Sequence, residues 1–179
     1  MKYLIFISLA FTFHTDLFSQ DHYQAKDSKT HQNGFHLSVA FLHTFIPEST
    51  VSGKEVLTLP TFGFDIDYYF NSRFGLGLHN DLELLTFEII GEEGIEVERE
   101  FPLVLTLDLL YQVDDKFVLF AGPGIEFEQA QNFKLFRLGV EYLAKYQDRI
   151  TFAPMLSYDF RYQAYNTFSL GIAVGLSLH

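Results

Sequence analysis

The sequence predicts an all-β fold, an eight-stranded antiparallel up-and-down transmembrane barrel. Three observations support this prediction: large apolar and small residues alternate, the last segment has a second face without lysine or glutamate, and the connections are short and long in turn. The segment from Tyr165 to His179 shows the alternation best. A period of two residues is that of a β-strand, whose successive side chains point to opposite faces.

The two faces of this last segment indicate which side meets lipid. One face carries large apolar residues: Phe168, Leu170, Ile172, Val174, Leu176 and Leu178. The other carries only small or weakly polar residues: Thr167, Ser169, Gly171, Ala173, Gly175 and Ser177. A strand whose second face met bulk water would carry charged residues there. The pattern therefore predicts a narrow packed interior and an apolar face turned outward to hydrocarbon.

The composition favours membrane strands over membrane helices. Hydrophobic residues make up 48% of the 179 residues and aromatic residues 17%, with Phe 21, Tyr 10 and Trp 0. A membrane-spanning helix needs about 20 consecutive apolar residues. The only apolar run, Leu4 to Phe13, is too short to span a bilayer comfortably.

The N-terminal run instead predicts export. It follows the basic residue Lys2 and precedes the small residue Ser19, which is typical of a cleaved signal peptide, predicted here over residues 1–20. Residues 21–33 are polar and aperiodic, and we expect a flexible N-terminal segment there. The barrel is predicted to occupy residues 34–179.

Cysteine content and charge exclude several classes of function. Cys 0 excludes a disulfide framework and a thiol nucleophile. The formal net charge of -11 argues against a nucleic-acid partner. No motif indicates a cofactor, so none is predicted.

The barrel region divides into eight alternating segments. They are Phe35–Ile46, Leu59–Phe70, Phe74–Ile89, Glu96–Tyr111, Phe117–Glu128, Phe133–Ala144, Ile150–Tyr162 and Tyr165–His179. Pro123 and Pro154 fall within segments. Because proline lacks the N–H that a ladder needs, we expect β-bulges or register breaks at both positions.

The connections and the aromatic residues define two ends. Asn71–Arg73, Asp114–Asp115 and Gln147–Asp148 are tight turns, whereas Pro47–Thr58 and Ile90–Glu96 are longer loops. One predicted aromatic belt lies beside the short turns: Tyr68, Tyr69, Phe70, Phe74, Tyr111, Phe117, Tyr146 and Phe152. A second lies near the other end: Phe45, Phe87, Phe101, Phe127, Phe133, Tyr162 and Tyr165. Two such belts are typical of anchoring at both membrane interfaces.

With its alternating strands, glycine-rich pieces such as Phe120–Phe127 and Arg137–Tyr142, and its terminal strand, the chain resembles the small eight-stranded outer-membrane β-barrel proteins of Gram-negative bacteria, the OmpA/OmpX-like class. The resemblance implies short periplasmic turns, longer extracellular loops, a periplasmic 21–33 segment and a location in the outer membrane after signal-peptide cleavage. It also implies contact with outer-membrane lipid and lipopolysaccharide, and recognition of the C-terminal strand by the barrel assembly machinery. Those proteins usually end in an aromatic residue, whereas this chain ends in His179. Nothing in these motifs selects one subfamily.

Ionisable residues on the inward face form the first candidate site, a lumen charge network. They are Asp65, Asp67, His79, Asp81, Glu83, Asp108, Glu126, Arg137, Glu141, Asp159 and Arg161. Side chains fill an eight-stranded barrel, and buried charges must be paired, so we expect Arg137 and Arg161 to neutralise several carboxylates. The alternative is a narrow cation-preferring path or a metal site, although no compact metal-ligand spacing is present.

A possible extracellular cation-binding loop is the second candidate. The run from Gly91 to Glu100 carries Glu92, Glu93, Glu96, Glu98 and Glu100. These carboxylates form either a solvated loop or a site for divalent cations, which also bridge lipopolysaccharide phosphates.

Hydrolysis of lipid would need a serine, a histidine and an acid close together on the outer face. His36 and Ser38 fall on the inward face, and His43 faces outward without a nearby serine. The sequence therefore predicts no catalytic residues and no enzyme. We expect a monomeric structural or surface-interaction barrel; the alternatives are a narrow channel for small solutes or ions and, more remotely, a soluble periplasmic carrier with the faces reversed.

Overall fold

The computed structural model describes residues 34–47, 56–90, 96–146 and 150–178. The predicted signal peptide and the 21–33 segment lie outside these ranges. The strands within them are β1 (Gly34–Pro47), β2 (Val56–Tyr69), β3 (Phe74–Glu83), β4 (Thr86–Ile90), β5 (Glu96–Glu100), β6 (Leu103–Gln112), β7 (Phe117–Phe127), β8 (Phe133–Tyr142), β9 (Ala144–Tyr146), β10 (Ile150–Arg161) and β11 (Thr167–Leu178). Over these same ranges, no helix has the length and apolarity required to cross a bilayer.

The strands close into an antiparallel barrel with eight positions around its wall. The order is β1, β2, β3, β6, β7, β8, β10 and β11, and β11 pairs back with β1. β9 continues β8 beyond Leu143, since both pair with β10. β4 and β5 form a hairpin that extends β3 and β6 beyond the closed wall. The predicted fold class is confirmed.

The wall carries its apolar side chains on the outside. On β6, Leu107 and Leu109 are 53% and 50% exposed, whereas Asp108 between them is 0% exposed. On β1, Phe41 is exposed while its neighbour Ala40 is buried. A contiguous band of exposed leucine and phenylalanine is unfavourable in water and suits hydrocarbon. The predicted inversion of the two faces is confirmed.

Two of the short turns are built by side chains that replace backbone acceptors. Asn71 Oδ1 accepts hydrogen bonds of 2.8 Å from the backbone N–H groups of Arg73 and Phe74. Asp114 Oδ1 accepts bonds of 2.8 and 2.9 Å from those of Lys116 and Phe117. Asparagine and aspartate favour tight turns for this reason. The third predicted turn, at 147–148, lies outside the described residues.

The predicted segments Phe74–Ile89 and Glu96–Tyr111 are each interrupted by a bend. Leu84 and Leu85 separate β3 from β4, and Phe101 and Pro102 separate β5 from β6. The pairing passes from Leu82↔Leu103 to Thr86↔Glu100, so the first strand has one residue more than its partner, as in a β-bulge. Phe101 has a φ of 45°, which is strained for a bulky residue. The hairpin therefore leaves the barrel wall at an angle.

The bulges expected at Pro123 and Pro154 are wrong. β6 and β7 keep one register across Pro123, from Thr106↔Gly124 to Leu109↔Ala121. Pro154 pairs in register with Ile172 on one side, and on the other only the ladder between β8 and β9 is interrupted. The missing N–H of proline costs a local ladder bond, and the pairs on either side hold the register.

Four aromatic residues that were predicted in the interfacial belts are instead buried. Tyr69 lies in the lumen near the short turns. Phe87, Phe133 and Tyr165 belong to an apolar cluster at the long-loop end, here called the mouth cluster, which consists of Ile46, Leu59, Phe87, Ile89, Phe133 and Tyr165. These three aromatics point inward because the strands extend beyond the closed wall, and packing replaces interfacial anchoring there. The mouth cluster covers that end of the lumen.

Candidate functional site

The outermost polar layer of the lumen is organised around Glu126. This carboxylate, 0% exposed, pairs with the guanidinium groups of both Arg99 and Arg161. It also accepts hydrogen bonds of 2.9 Å at each oxygen from the hydroxyl of Tyr165. Glu126 therefore joins β5, β7, β10 and the loop before β11 beneath the mouth cluster.

Arg161 extends this layer across the lumen. Its Nη2 lies 3.2 Å from Oε1 of Glu83, and its Nη1 donates a 2.6 Å hydrogen bond to Oγ1 of Thr167. The guanidinium carbon is 4.6 Å from the ring centroid of Tyr165, a cation–π contact. All of these groups are buried, so the layer is sealed from water.

Arg99 belongs to the same layer, and sequence reasoning missed it. Within the acidic run 91–100 it looked like one more exposed charge, yet it is 0% exposed. It donates a 2.6 Å hydrogen bond to the backbone oxygen of Gln131 and lies 3.2 Å from Oε2 of Glu128. The available signal was weak: Arg99 is the single basic residue of that run and shares parity with Val97.

Arg137 forms the middle layer with two carboxylates. Its Nε and Nη2 donate bonds of 2.7 and 2.9 Å to the two oxygens of Asp159, and its Nη1 lies 2.6 Å from Asp81. The two-pronged bond to Asp159 holds the guanidinium plane in one orientation. Arg137 is 2% exposed, so its side chain closes the lumen at this depth.

His79 forms the next layer toward the short turns. Its Nε2 lies 3.1 Å from Asp67 and its Nδ1 lies 3.0 Å from Asp108. Thr106 donates a 2.7 Å hydrogen bond to Asp108, and Ser38 donates one of 3.2 Å to Asp65. The edge of the imidazole also contacts Phe120, with ring centroids 5.3 Å apart. The imidazole thus links two acids on different strands.

All eleven residues of the predicted lumen network lie on the inward side of the wall, and most of them are in contact. Asp65, His79, Asp81, Glu83, Asp108, Glu126, Arg137, Asp159 and Arg161 are buried, whereas Asp67 and Glu141 are half-buried at a cavity of about 40 Å³ near the short turns. Glu141 makes no hydrogen bond or ion pair with any residue in the described part of the chain. Arginines thus serve the outer half of the lumen, and the inner half has more carboxylates than bases.

The predicted acidic loop is only partly described. Glu92 and Glu93 lie outside the described residues, and for Glu96 only the backbone, in β5, is described. Glu98 and Glu100 are exposed, and Glu98 faces Glu88 across the hairpin. In the described ranges, no group of three or more His, Cys, Asp or Glu side chains is arranged to hold a metal ion.

The residues considered for hydrolysis lie where alternation predicts. His43 is exposed on the outer face, and Ser38 faces inward toward Asp65. His36 contacts a serine that sequence reasoning missed, with Nδ1 2.9 Å from Oγ of Ser177. This pair lies on the lumen side of the first and last strands, away from the outer face.

At the long-loop end, Glu128 connects the lumen to the surface. Burial raises its pKa, but the backbone N–H of Ala130, at 2.8 Å, and the guanidinium of Arg99 stabilise the carboxylate and outweigh burial. The pKa of Glu128 therefore lies below its usual value of 4.5.

Glu128→Gln is expected to reveal this interaction through pH. A depressed pKa gives stability that is complete above pH 4.5 and is lost as the pH falls through the folded-state value. The difference in free energy of unfolding between wild type and variant should therefore narrow on acidification. Denaturant titrations of the refolded barrel at a series of pH values measure it, and a difference that stays constant into strong acid would contradict the assignment.

No family model matches the sequence, and no curated protein matches it. Three solved structures are similar over most of their length. The outer membrane protein OprG from Pseudomonas aeruginosa has a TM-score of 0.58 at 14% identity, covering 83% of this chain and 98% of that one. Ail, the attachment invasion locus protein of Yersinia pestis in complex with the heparin analogue sucrose octasulfate, has a TM-score of 0.57 at 13% identity, covering 82% and 100%.

Neisserial surface protein A has a TM-score of 0.57 at 10% identity, covering 81% of this chain and 97% of that one. The chain has the fold of a small eight-stranded outer-membrane β-barrel. In a transmembrane β-barrel the apolar outer band marks the part of the wall that lies in the bilayer. The layers of Arg137 and His79 lie within that band, because their strands carry the exposed leucines and phenylalanines on alternate residues.

Proposed function

We propose that this chain is a non-enzymatic barrel in the outer membrane of a Gram-negative bacterium, with a structural or surface-interaction role and a lumen closed to solutes. The observation that carries the proposal is the burial of three arginines that bridge the lumen at successive depths. Arg99, Arg137 and Arg161 are 0%, 2% and 5% exposed. A solute crossing the barrel would have to separate their ion pairs.

The apolar parts of the lumen support the same role. Besides the mouth cluster, a second cluster fills the half nearer the short turns: Ala40, Leu42, Tyr69, Leu110, Val118, Phe120, Leu143, Ala153, Met155 and Ala173. Protein interiors packed in this way admit few voids larger than a water molecule. The cavity of about 40 Å³ near the short turns is closed off from the long-loop end by these layers.

The proposed partners follow from the outer surface. Exposed aromatic and aliphatic side chains would contact outer-membrane lipid, and the exposed carboxylates Glu88, Glu98 and Glu100 could meet divalent cations that bridge lipopolysaccharide phosphates. We propose that β11 is the strand recognised by the barrel assembly machinery, and that the barrel is monomeric without a nucleic-acid partner. The soluble-carrier alternative is disfavoured, because it requires the exposed leucines and phenylalanines to face water.

Reconstitution into planar bilayers tests the closed lumen. We expect no steady unitary conductance, since opening the path would require desolvated charges to separate. Heat-modifiable migration on detergent gels and flotation with vesicles serve as controls for folding and insertion. A steady conductance that disappears in Asp81→Asn or Asp108→Asn would instead establish the channel alternative.

A further inference from the structure

The short-turn end of the lumen contains a polar cavity that the ion-pair layers do not fill. Its volume is about 40 Å³, and its polar wall consists of His36, Ser38, Asp67, Tyr69, Glu141 and Thr151. One water molecule needs roughly 10–15 Å³ of such space, so the cavity has room for a few water-sized groups. Small residues, including Gly175, form the rest of the wall.

Glu141 lines this cavity without a partner. Its cross-strand neighbours are Val118 and Met155, neither of which can donate a hydrogen bond to it from a side chain. Every ion pair and hydrogen bond described above leaves its carboxylate unused, although it lies inside the barrel. A carboxylate withdrawn from bulk water in this way needs a compensating positive charge or donor.

The bases of the lumen do not supply that charge. Arg137 is held by Asp81 and Asp159, and the other two arginines lie in the outer layer. His79 is the nearest base, but it is shared between Asp67 and Asp108. Asp65 lies beside the cavity wall through its bond to Ser38, and its Oδ1, in a side chain 2% exposed, has no hydrogen-bond partner.

We propose that this cavity binds a monovalent cation of ammonium size, either an alkali ion or the primary ammonium group of a small amine. Glu141 and Asp67 supply carboxylate oxygens, and Ser38 and Thr151 supply neutral hydroxyl oxygens. These are ligands for hard cations and acceptors for ammonium N–H groups. Because the described residues hold no larger set of acidic or imidazole ligands, a tightly coordinated transition metal does not fit.

Thermal unfolding of the refolded full barrel in neutral detergent tests the proposal. Tetraethylammonium chloride, too large for the cavity, is replaced stepwise by potassium chloride or by methylammonium chloride at constant ionic strength. We expect Tm to rise and then saturate in at least one series, because a ligand of the folded state stabilises it by mass action. The two series distinguish an alkali ion from an ammonium group. An unchanged Tm in both series would overturn the proposal.

Variants locate the effect. Glu141→Gln should abolish the saturable rise, whereas Glu98→Gln, in the exposed hairpin, should retain it fully. Gly175→Val fills the cavity while leaving Glu141 in place, since a Cβ at Gly175 would lie 3.6 Å from that of Ser38, an ordinary contact. It should also abolish the rise, and it provides the test if Glu141→Gln does not fold. A full rise in either cavity variant would place the cation elsewhere.

Discussion

Glu126→Gln is expected to lower the free energy of unfolding by about 3 kcal/mol or more, the cost of breaking a buried ion pair from one side. The amide would present N–H donors to Arg99 and Arg161, which are themselves only donors. Both guanidiniums would remain buried near 0–5% exposure with one acceptor fewer. Urea titration of the barrel refolded in lipid vesicles measures the loss.

The matched control is Glu98→Gln, the same chemical change on the exposed face of β5. It should alter the unfolding free energy by no more than about 0.5 kcal/mol, as surface substitutions generally do. If both variants lose the same small amount, the outer layer does not carry the stability that its geometry indicates. Because Arg99 comes from the hairpin, Glu126→Gln should also loosen β4 and β5, which hydrogen exchange would detect.

Leu107→Arg is expected to destabilise the barrel in lipid vesicles by about 2–4 kcal/mol, the cost of a cation on the lipid face near the midplane. Leu107 is 53% exposed near the middle of β6 and pairs with Leu78, another exposed apolar residue. In a water-soluble barrel the same change on an exposed leucine would be close to neutral. The measurement therefore tests the membrane orientation of the wall directly.

Val113→Arg provides the comparison at the membrane edge. Val113 is 49% exposed, like Leu107, but lies in the short turn after β6. An arginine near the interface should cost about 0–1 kcal/mol. Equal losses at both positions, or none at Leu107, would show that the exposed apolar band is not buried in hydrocarbon.

The sequence predicted the wall well because the signal is local. Inward and outward positions follow from a period of two, so Asp108 and Leu107 could be assigned to opposite faces without knowing their neighbours. Asn71 and Asp114 likewise mark turns through hydrogen bonds that span three residues or fewer. The interruptions were predicted less well. The bend fell at Pro102, where Phe101 adopts a positive φ, and the register at Pro123 and Pro154 was kept by neighbouring pairs.

The partners of the inward charges could not be predicted, because they depend on how strands are staggered around the closed barrel. Arg99 reaches Glu126 across 27 residues of sequence, and Arg161 reaches Glu83 across 78. Alternation says that such side chains point inward but not at what height they meet. A long guanidinium can span the lumen, so its nearest partner need not lie on an adjacent strand.

By itself, the sequence determined a closed wall with apolar residues outside and charges inside, because side-chain direction in a strand is a property of each residue and its neighbours. Only the tertiary structure decided that the mouth is covered by an inward-packed hairpin, that Arg99 is buried beneath it, and that Glu141 is left facing a cavity. Those outcomes depend on strand stagger, side-chain reach and packing across the lumen, which no local pattern specifies.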